Sequence, residues 1–210
     1  MREKKPKSYK ELVSMPEKLK EKLPTSYDVV GDIILIKLDN ALLEHKNEIG
    51  NSLLNIHKNV KTVCLIEPVS GEYRTRNVEV IAGENKTETV HKEYGLKFYV
   101  DVEKTYFSPR LANERMRITK LVKKDEIIAD MFTGVAPFPI MIAKKSNPKI
   151  IYGIDKNKYA IEYAKKNVVA NNLLDKIELI CRDSKNVKKI VREKNADRII
   201  MNHPTCLLYT

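Results

Sequence analysis

The run Glu126-Ile127-Ile128-Ala129-Asp130-Met131-Phe132-Thr133-Gly134-Val135-Ala136-Pro137-Phe138 sets the fold. Glu126 to Met131 reads as a strand rich in branched apolar residues, and Pro139 to Lys145 as a helix. Between them lies an acidic strand end and a turn with one glycine, so this is not the three-glycine dinucleotide fingerprint. An acid and a glycine turn leading into a helix suit a nucleotide-like ligand at the carboxyl edge of a sheet.

Downstream the same alternation repeats. Ile150 to Ile154 is a strand and Lys158 to Asn171 a helix. Ile177 to Cys181 is a strand, Val187 to Lys194 a helix, and Asp197 to Met201 a strand. The order βαβαβαβ predicts an α/β fold with a parallel, doubly wound sheet and crossover helices. Each strand ends on a group suited to the same ligand. Asp155, followed by Lys156, can accept both hydroxyls of a ribose, or can merely cap the next helix. Asp183, followed by Ser184, can accept from an adenine amino group. The fourth strand runs into Asn202-His203-Pro204, an amide before a proline-constrained turn. The four signals stand about 25, 28 and 19 residues apart. This arrangement resembles the class I S-adenosylmethionine (AdoMet) methyltransferase fold, Rossmann-like, with its last strands not present in the chain.

Upstream, Glu114 to Val122 reads as a helix. Before it, 27–104 forms a small α+β domain. Val29 to Leu38 is a strand, Ala41 to Ile56 an amphipathic helix with Leu42, Ile49, Leu53 and Ile56 on one face, and Val60 to Ile66 a second strand. Val78 to Ile81, Thr87 to His91 and Leu96 to Val102 are three more strands, with turns at Gly83-Glu84-Asn85 and Glu93-Tyr94-Gly95. Residues 1–26 are a basic tail or a short docking helix stopped by Pro24, residues 105–118 a linker, and 119–210 the cofactor-binding domain.

Hydrophobic residues make up 42% of the 210, enough to build a packed core and to argue against wholesale disorder. Lys and Arg outnumber Asp and Glu by 39 − 28 = 11. That excess points to a polyanionic partner, or equally to a lysine-rich thermophile surface. No apolar run reaches the roughly 20 residues of a membrane span, and no apolar segment follows the charged N-terminus as in a secretory signal. Cys64, Cys181 and Cys206 are too scattered for a disulfide framework or a zinc site, so a cytoplasmic location and no metal are expected.

Tyr106-Phe107-Ser108-Pro109-Arg110-Leu111-Ala112-Asn113-Glu114-Arg115 resembles the linker motif of the archaeal and eukaryotic tRNA guanosine-37 N1-methyltransferases. Ser26-Tyr27-Asp28-Val29-Val30-Gly31-Asp32, Ser70-Gly71-Glu72-Tyr73-Arg74-Thr75-Arg76, Ala82-Gly83-Glu84-Asn85 and His91-Lys92-Glu93-Tyr94-Gly95 also look like that family. The resemblance runs from about residue 26 to 205. It implies that Glu114 is the general base for guanine N1, that Arg74 faces the base carbonyl, and that Tyr106 and Arg110 position the guanosine. It implies that Arg115, Phe132, Asp155, Asp183 and Asn202 line the AdoMet site, with Gly134, Lys156 and Ser184 in the turns beside them. Asn202 would also lie beside the target base. The partner implied is the anticodon stem-loop of tRNA. Without the resemblance, Glu114 reads equally as an exposed acid at a helix start and Arg74 as a surface arginine.

The chain departs from the family pattern at His203 and Thr205 around the Asn-x-Pro turn, and at Thr133 and Ala136 in the cofactor loop. It also ends just past the fourth strand, so that strand is expected at an open edge, completed by a missing part or a partner. No counterpart of the family's elbow-binding domain precedes residue 26. Two other functions compete: a wyosine-pathway aminocarboxypropyl or methyl transferase on the same tRNA position, and an inactive AdoMet- or RNA-binding fragment. The retained Asn202 and Pro204, with Ser108-Pro109-Arg110, favour methyl transfer.

Overall fold

The computed structural model describes residues 6, 8–67, 76–183, 193 and 195–202. Among them the chain forms a four-stranded mixed sheet, a two-stranded hairpin and a four-stranded parallel sheet.

The mixed sheet contains β1 (Asp28–Val30), β2 (Ile33–Ile36), β3 (Thr62–Ile66) and β4 (Val78–Gly83), in that order. The single strand expected over Val29 to Leu38 is in fact the hairpin β1–β2, with Val30 opposite Ile33. Gly31 makes the difference. It turns the chain at φ +58°, and an added Cβ there would lie 2.1 Å from the Thr89 hydroxyl and 2.8 Å from the Val90 carbonyl. The helix expected from Ala41 starts as a 3-10 turn, Asn40–His45, capped by the Asp39 side chain, and becomes α-helical only at α2 (Lys46–Ile56).

Residues 8–26 are not a tail. A 3-10 turn (Tyr9–Glu11) and the short α1 (Glu17–Lys20) bury Tyr9, Val13 and Leu23 in a cluster with Ile34, Leu42, Ile49 and Leu53. The Tyr9 hydroxyl donates to the Pro24 carbonyl (2.5 Å) and Lys10 Nζ to the Leu23 carbonyl (2.6 Å), closing the segment on itself. The alternating lysines disguised these apolar anchors.

The hairpin of β5 (Glu88–Glu93) and β6 (Leu96–Asp101) pairs with neither larger sheet. β6 is held by side chains of α5 (Lys158–Ala170) and its C-cap Asn171, while β5 meets the β1–β2 turn through two bonds, Gly31 N–H to His91 Nδ1 and Asp32 N–H to Thr89 Oγ1.

The parallel sheet follows α3 (Ala112–Leu121). It contains β7 (Ile127–Asp130), β8 (Ile150–Asp155), β9 (Ile177–Cys181) and β10 (Arg198–Ile200), in the order β10-β7-β8-β9. All three pairings are parallel, as the alternation predicts. α4 (Pro137–Lys145) and α5 are the first two crossovers. α4 packs on α3 and the sheet and is buried on nearly every side, which its run Phe138 to Ala143 allows. The helix expected over Val187 to Lys194 lies outside the described residues apart from Glu193, which is helical. β10 lies at an edge among the described strands. The chain runs outward from β7 to β9 and returns to the other side of β7. That reversal falls between β7 and β10, and α/β sheets bind ligands at the carboxyl ends of the strands flanking such a reversal.

One apolar cluster joins the two halves: Val30, Leu35 and Cys64 of the mixed sheet, Phe98 of the hairpin, Phe107 of the linker, and Ile128, Ile140 and Ile151 of the parallel half.

Candidate active site

The loop after β7 leads from the end of that strand into α4. Gly134 (φ +54°) and Ala136 (φ +64°) are both left-handed, and Ala136 caps α4. The Gly134 N–H donates to Asp155 Oδ2 (2.8 Å), and the Asn157 N–H to Asp155 Oδ1 (2.9 Å). The carboxylate at the end of β8 thus ties two turns together, and with about four acceptor positions it keeps room for a further donor. Burial raises the Asp155 pKa, opposed by these backbone donors. Asp130, fully buried at the end of β7, is pushed up to about 7 by burial. Its Oδ2 and the Thr133 hydroxyl have no hydrogen-bond partner among the described residues.

Phe132, Lys156 and Asp183 are half-buried on the successive turns, and Asn202 is exposed past β10. The candidate cofactor residues therefore share one sheet edge, except Ser184, which lies outside the described residues, and Arg115.

Arg115 lies elsewhere. Its side chain is 1% exposed and grips the Glu93 carboxylate with Nε (2.8 Å) and Nη2. It also donates to the Ser108 carbonyl (3.3 Å) and stacks on Phe107. These contacts commit the guanidinium to the hairpin and the linker. Burying it unpaired would be costly, and the Glu93 carboxylate offsets that cost. Its partner, 22 residues away in sequence, is set by the fold.

The linker crosses above the loop. The Tyr106 carbonyl is 3.6 Å from where a Gly134 Cβ would stand, so linker and cofactor loop are in contact. Beside it Tyr106, Ser108 and Arg110 line a cleft of about 400 Å³ with Lys37, Arg76 and Asp28. The Arg76 guanidinium lies over the Tyr106 ring at 5.5 Å. Arg110 Nε donates to Asp28 at 2.5 Å. Lys37 and Arg76 were missed as cleft residues. Nothing local in the sequence shows that β2 and the chain before β4 converge on the linker. Arg74 lies outside the described residues.

Glu114 stands in the first turn of α3, partly exposed, and accepts from Arg117 Nε (2.8 Å) and Nη2 (2.7 Å). Those bonds hold its pKa below the usual carboxylate value.

A model of the TRM5/TYW2 methyltransferase domain matches residues 89–209, and one of the TYW2 N-terminal domain matches residues 9–87. The chain belongs to the TRM5/TYW2 methyltransferase family. It is 44% identical over 200 residues to the tRNA (guanine(37)-N(1))-methyltransferase Trm5b of Pyrococcus abyssi, covering 95% of this chain and 58% of that protein. It is 39% identical over 179 residues to the tRNA 4-demethylwyosine(37)-methyltransferase Taw21 of Saccharolobus solfataricus, covering 84% and 67%. The crystal structure of P. abyssi Trm5b superposes with TM-score 0.82, covering 96% of this chain and 59% of that one. A complex of aTrm5 with tRNALeu superposes with TM-score 0.77 at 41% identity, covering 90% and 54%. The chain thus spans a little over half the length of its Trm5 relatives. The join between the two TRM5/TYW2-family matches, near residue 88, falls at the start of β5, which agrees with the hairpin's attachment to α5.

Proposed function

We propose that this chain binds AdoMet at the carboxyl edge of its parallel sheet and methylates N1 of guanosine 37 in tRNA. The observation that carries the reading is the linker seated on the cofactor loop, with the Tyr106 carbonyl against Gly134. The 44% identity to Trm5b supports the substrate. We place the enzyme in the cytoplasm; among the described residues no helix is long and apolar enough to cross a membrane. The division we favour is a unit of residues 9–87, then the β5–β6 hairpin, the linker 105–118 and the sheet from 119 acting together.

The site suits AdoMet in its donor set: the half-buried Asp155 with spare lone pairs, the half-buried Asp183, the polar end at Asn202, and unsatisfied polar atoms of Asp130 and Thr133 beneath the loop. When bound, AdoMet supplies an electrophilic sulfonium methyl. Asp155 holds the ribose hydroxyls, Asp183 the adenine amine, and Phe132, Gly134 and Lys156 shape the turns around them. Guanine N1 carries a weakly acidic proton and is a poor nucleophile near neutral pH, so a positioned carboxylate must accept that proton. Glu114 takes this role, with its Arg117 contact exchanged for the base. Arg74 and Arg76 offer guanidinium groups to the charge that develops on the base carbonyl. Tyr106 and Arg110 orient the nucleoside in the cleft, and orientation dominates the transfer.

The identity to Taw21 favours a second reading, methyl transfer to 4-demethylwyosine at the same position. One experiment separates these. The chain is incubated with AdoMet and tRNA carrying either guanosine or 4-demethylwyosine at position 37, and the digested nucleosides are weighed. N1-methylguanosine supports the first reading and a methylated wyosine precursor the second. An aminocarboxypropyl adduct overturns methyl transfer, and no product on either tRNA overturns both.

A further inference from the structure

α5 carries three buried asparagines, Asn157 at its N-cap, Asn167 in its last turn and Asn171 at its C-cap. Buried amides are costly unless paired. Asn157 caps the helix and donates from Nδ2 to the Lys104 carbonyl (3.0 Å). The other two act on β6. Asn171 Oδ1 accepts from the Lys97 N–H (3.1 Å), and its Nδ2 donates to the Lys97 carbonyl (2.8 Å). Asn167 Oδ1 accepts from the Tyr99 N–H (2.6 Å), and its Nδ2 donates to the Tyr99 carbonyl (3.1 Å). Four helix residues advance about 6.0 Å and two strand residues about 6.7 Å. Amides four apart on a helix therefore match residues two apart on a strand, and the pair replaces the missing strand along the β6 edge.

Each asparagine makes one further contact, and Asn171 Nδ2 directs its own to the Asn167 carbonyl (2.8 Å), within the helix. Asn167 Nδ2 also donates to the Val135 carbonyl (3.0 Å) in the loop after β7. Val135 lies between the two left-handed residues Gly134 and Ala136. Alanine resists that conformation, and such a backbone persists only where its surroundings fix it. Asn167 is fully buried and reaches the loop at the residue just before the strained Ala136.

We infer that Asn167 is a positioning residue for the cofactor loop: by holding the Val135 carbonyl it keeps the Gly134 N–H on Asp155, and it couples the loop to the β5–β6 hairpin. The inference rests on the AdoMet reading for its functional consequence. Asn171 is the internal control, since it makes the same strand contact without the loop contact.

The test compares Asn167→Ala and Asn171→Ala with the parent by two measurements, hydrogen exchange of the 131–136 loop in the ligand-free chain and AdoMet affinity by calorimetry. Asn167→Ala is expected to speed loop exchange and to weaken AdoMet about tenfold, while Asn171→Ala leaves both within about threefold. Equal effects of the two variants on the loop overturn the inference and reduce Asn167 to a strand clamp. A parent that binds no AdoMet overturns the cofactor reading, and the exchange contrast still decides the loop coupling. If Asn167→Ala does not fold, Asn167→Asp takes its place, because it keeps the Tyr99 acceptor contact and loses both Nδ2 donations.

Discussion

Glu114 and Arg117 meet through both carboxylate oxygens on one face of α3. A base held this way is ionised at every physiological pH, but it is also weakened, since its pKa is lowered. Removing Arg117 lets the Glu114 pKa rise, and a base must be ionised to act. The acid limb of kcat/KM, which reports the free enzyme, should therefore move to higher pH in Arg117→Gln, with no loss of rate at neutral pH. A pH profile that superposes on the parent's would separate this pair from the chemistry. Asp155 makes a second claim of the same kind. Asp155→Ala removes the proposed ribose acceptor and the Gly134 anchor together. AdoMet affinity should fall roughly tenfold or more, from charged hydrogen bonds of about 1.5–3 kcal/mol. Calorimetry with unchanged affinity would remove Asp155 from the site.

β7 ends on a buried acid, and this has a consequence for stability. The Asp130 pKa is raised by burial to about 7, well above its value in an unfolded chain. Between those two values the folded state binds more protons, so stability falls as pH rises from about 4 to 7 and then levels. Asp130→Asn should flatten that slope and stabilise the chain above pH 7 by up to about 4 kcal/mol. Denaturant midpoints at pH 5 and 8 check it; a parent that is no less stable at pH 8 than at pH 5 contradicts it. The elements around Asp130 were legible in the sequence, because a strand buried on both faces and its crossover helices write continuous apolar runs. β1–β2 was not, since the turn depends on Gly31 meeting Thr89 and Val90, which are far away in sequence. The packing of residues 8–26 was hidden for a related reason: four apolar anchors among lysines have no period. In the site, strand-end acids were legible from spacing. The Glu93 partner of Arg115 and the loop contact of Asn167 were not legible, because each is defined by a partner on another element.

The whole chain carries an excess of 11 positive charges, and its cleft holds Lys37, Arg76 and Arg110. If these meet phosphates, tRNA affinity should fall by at least about tenfold between roughly 50 and 200 mM salt, as counterions are released. A flat response in filter binding would make the charge a solvated surface only. The two halves share one apolar cluster, and the linker between them lies against the cofactor loop. Through Tyr106 the linker touches both the cleft and that loop, which is the juxtaposition the proposed reaction needs. Its sharpest test is Glu114→Gln in single-turnover methylation of tRNA with guanosine at position 37. The parent should yield N1-methylguanosine. The variant should bind AdoMet and tRNA as the parent does but transfer methyl about 10²- to 10⁴-fold more slowly, with partial recovery at high pH. A variant within about threefold of the parent from pH 6 to 9 would contradict the assignment of Glu114 as the base.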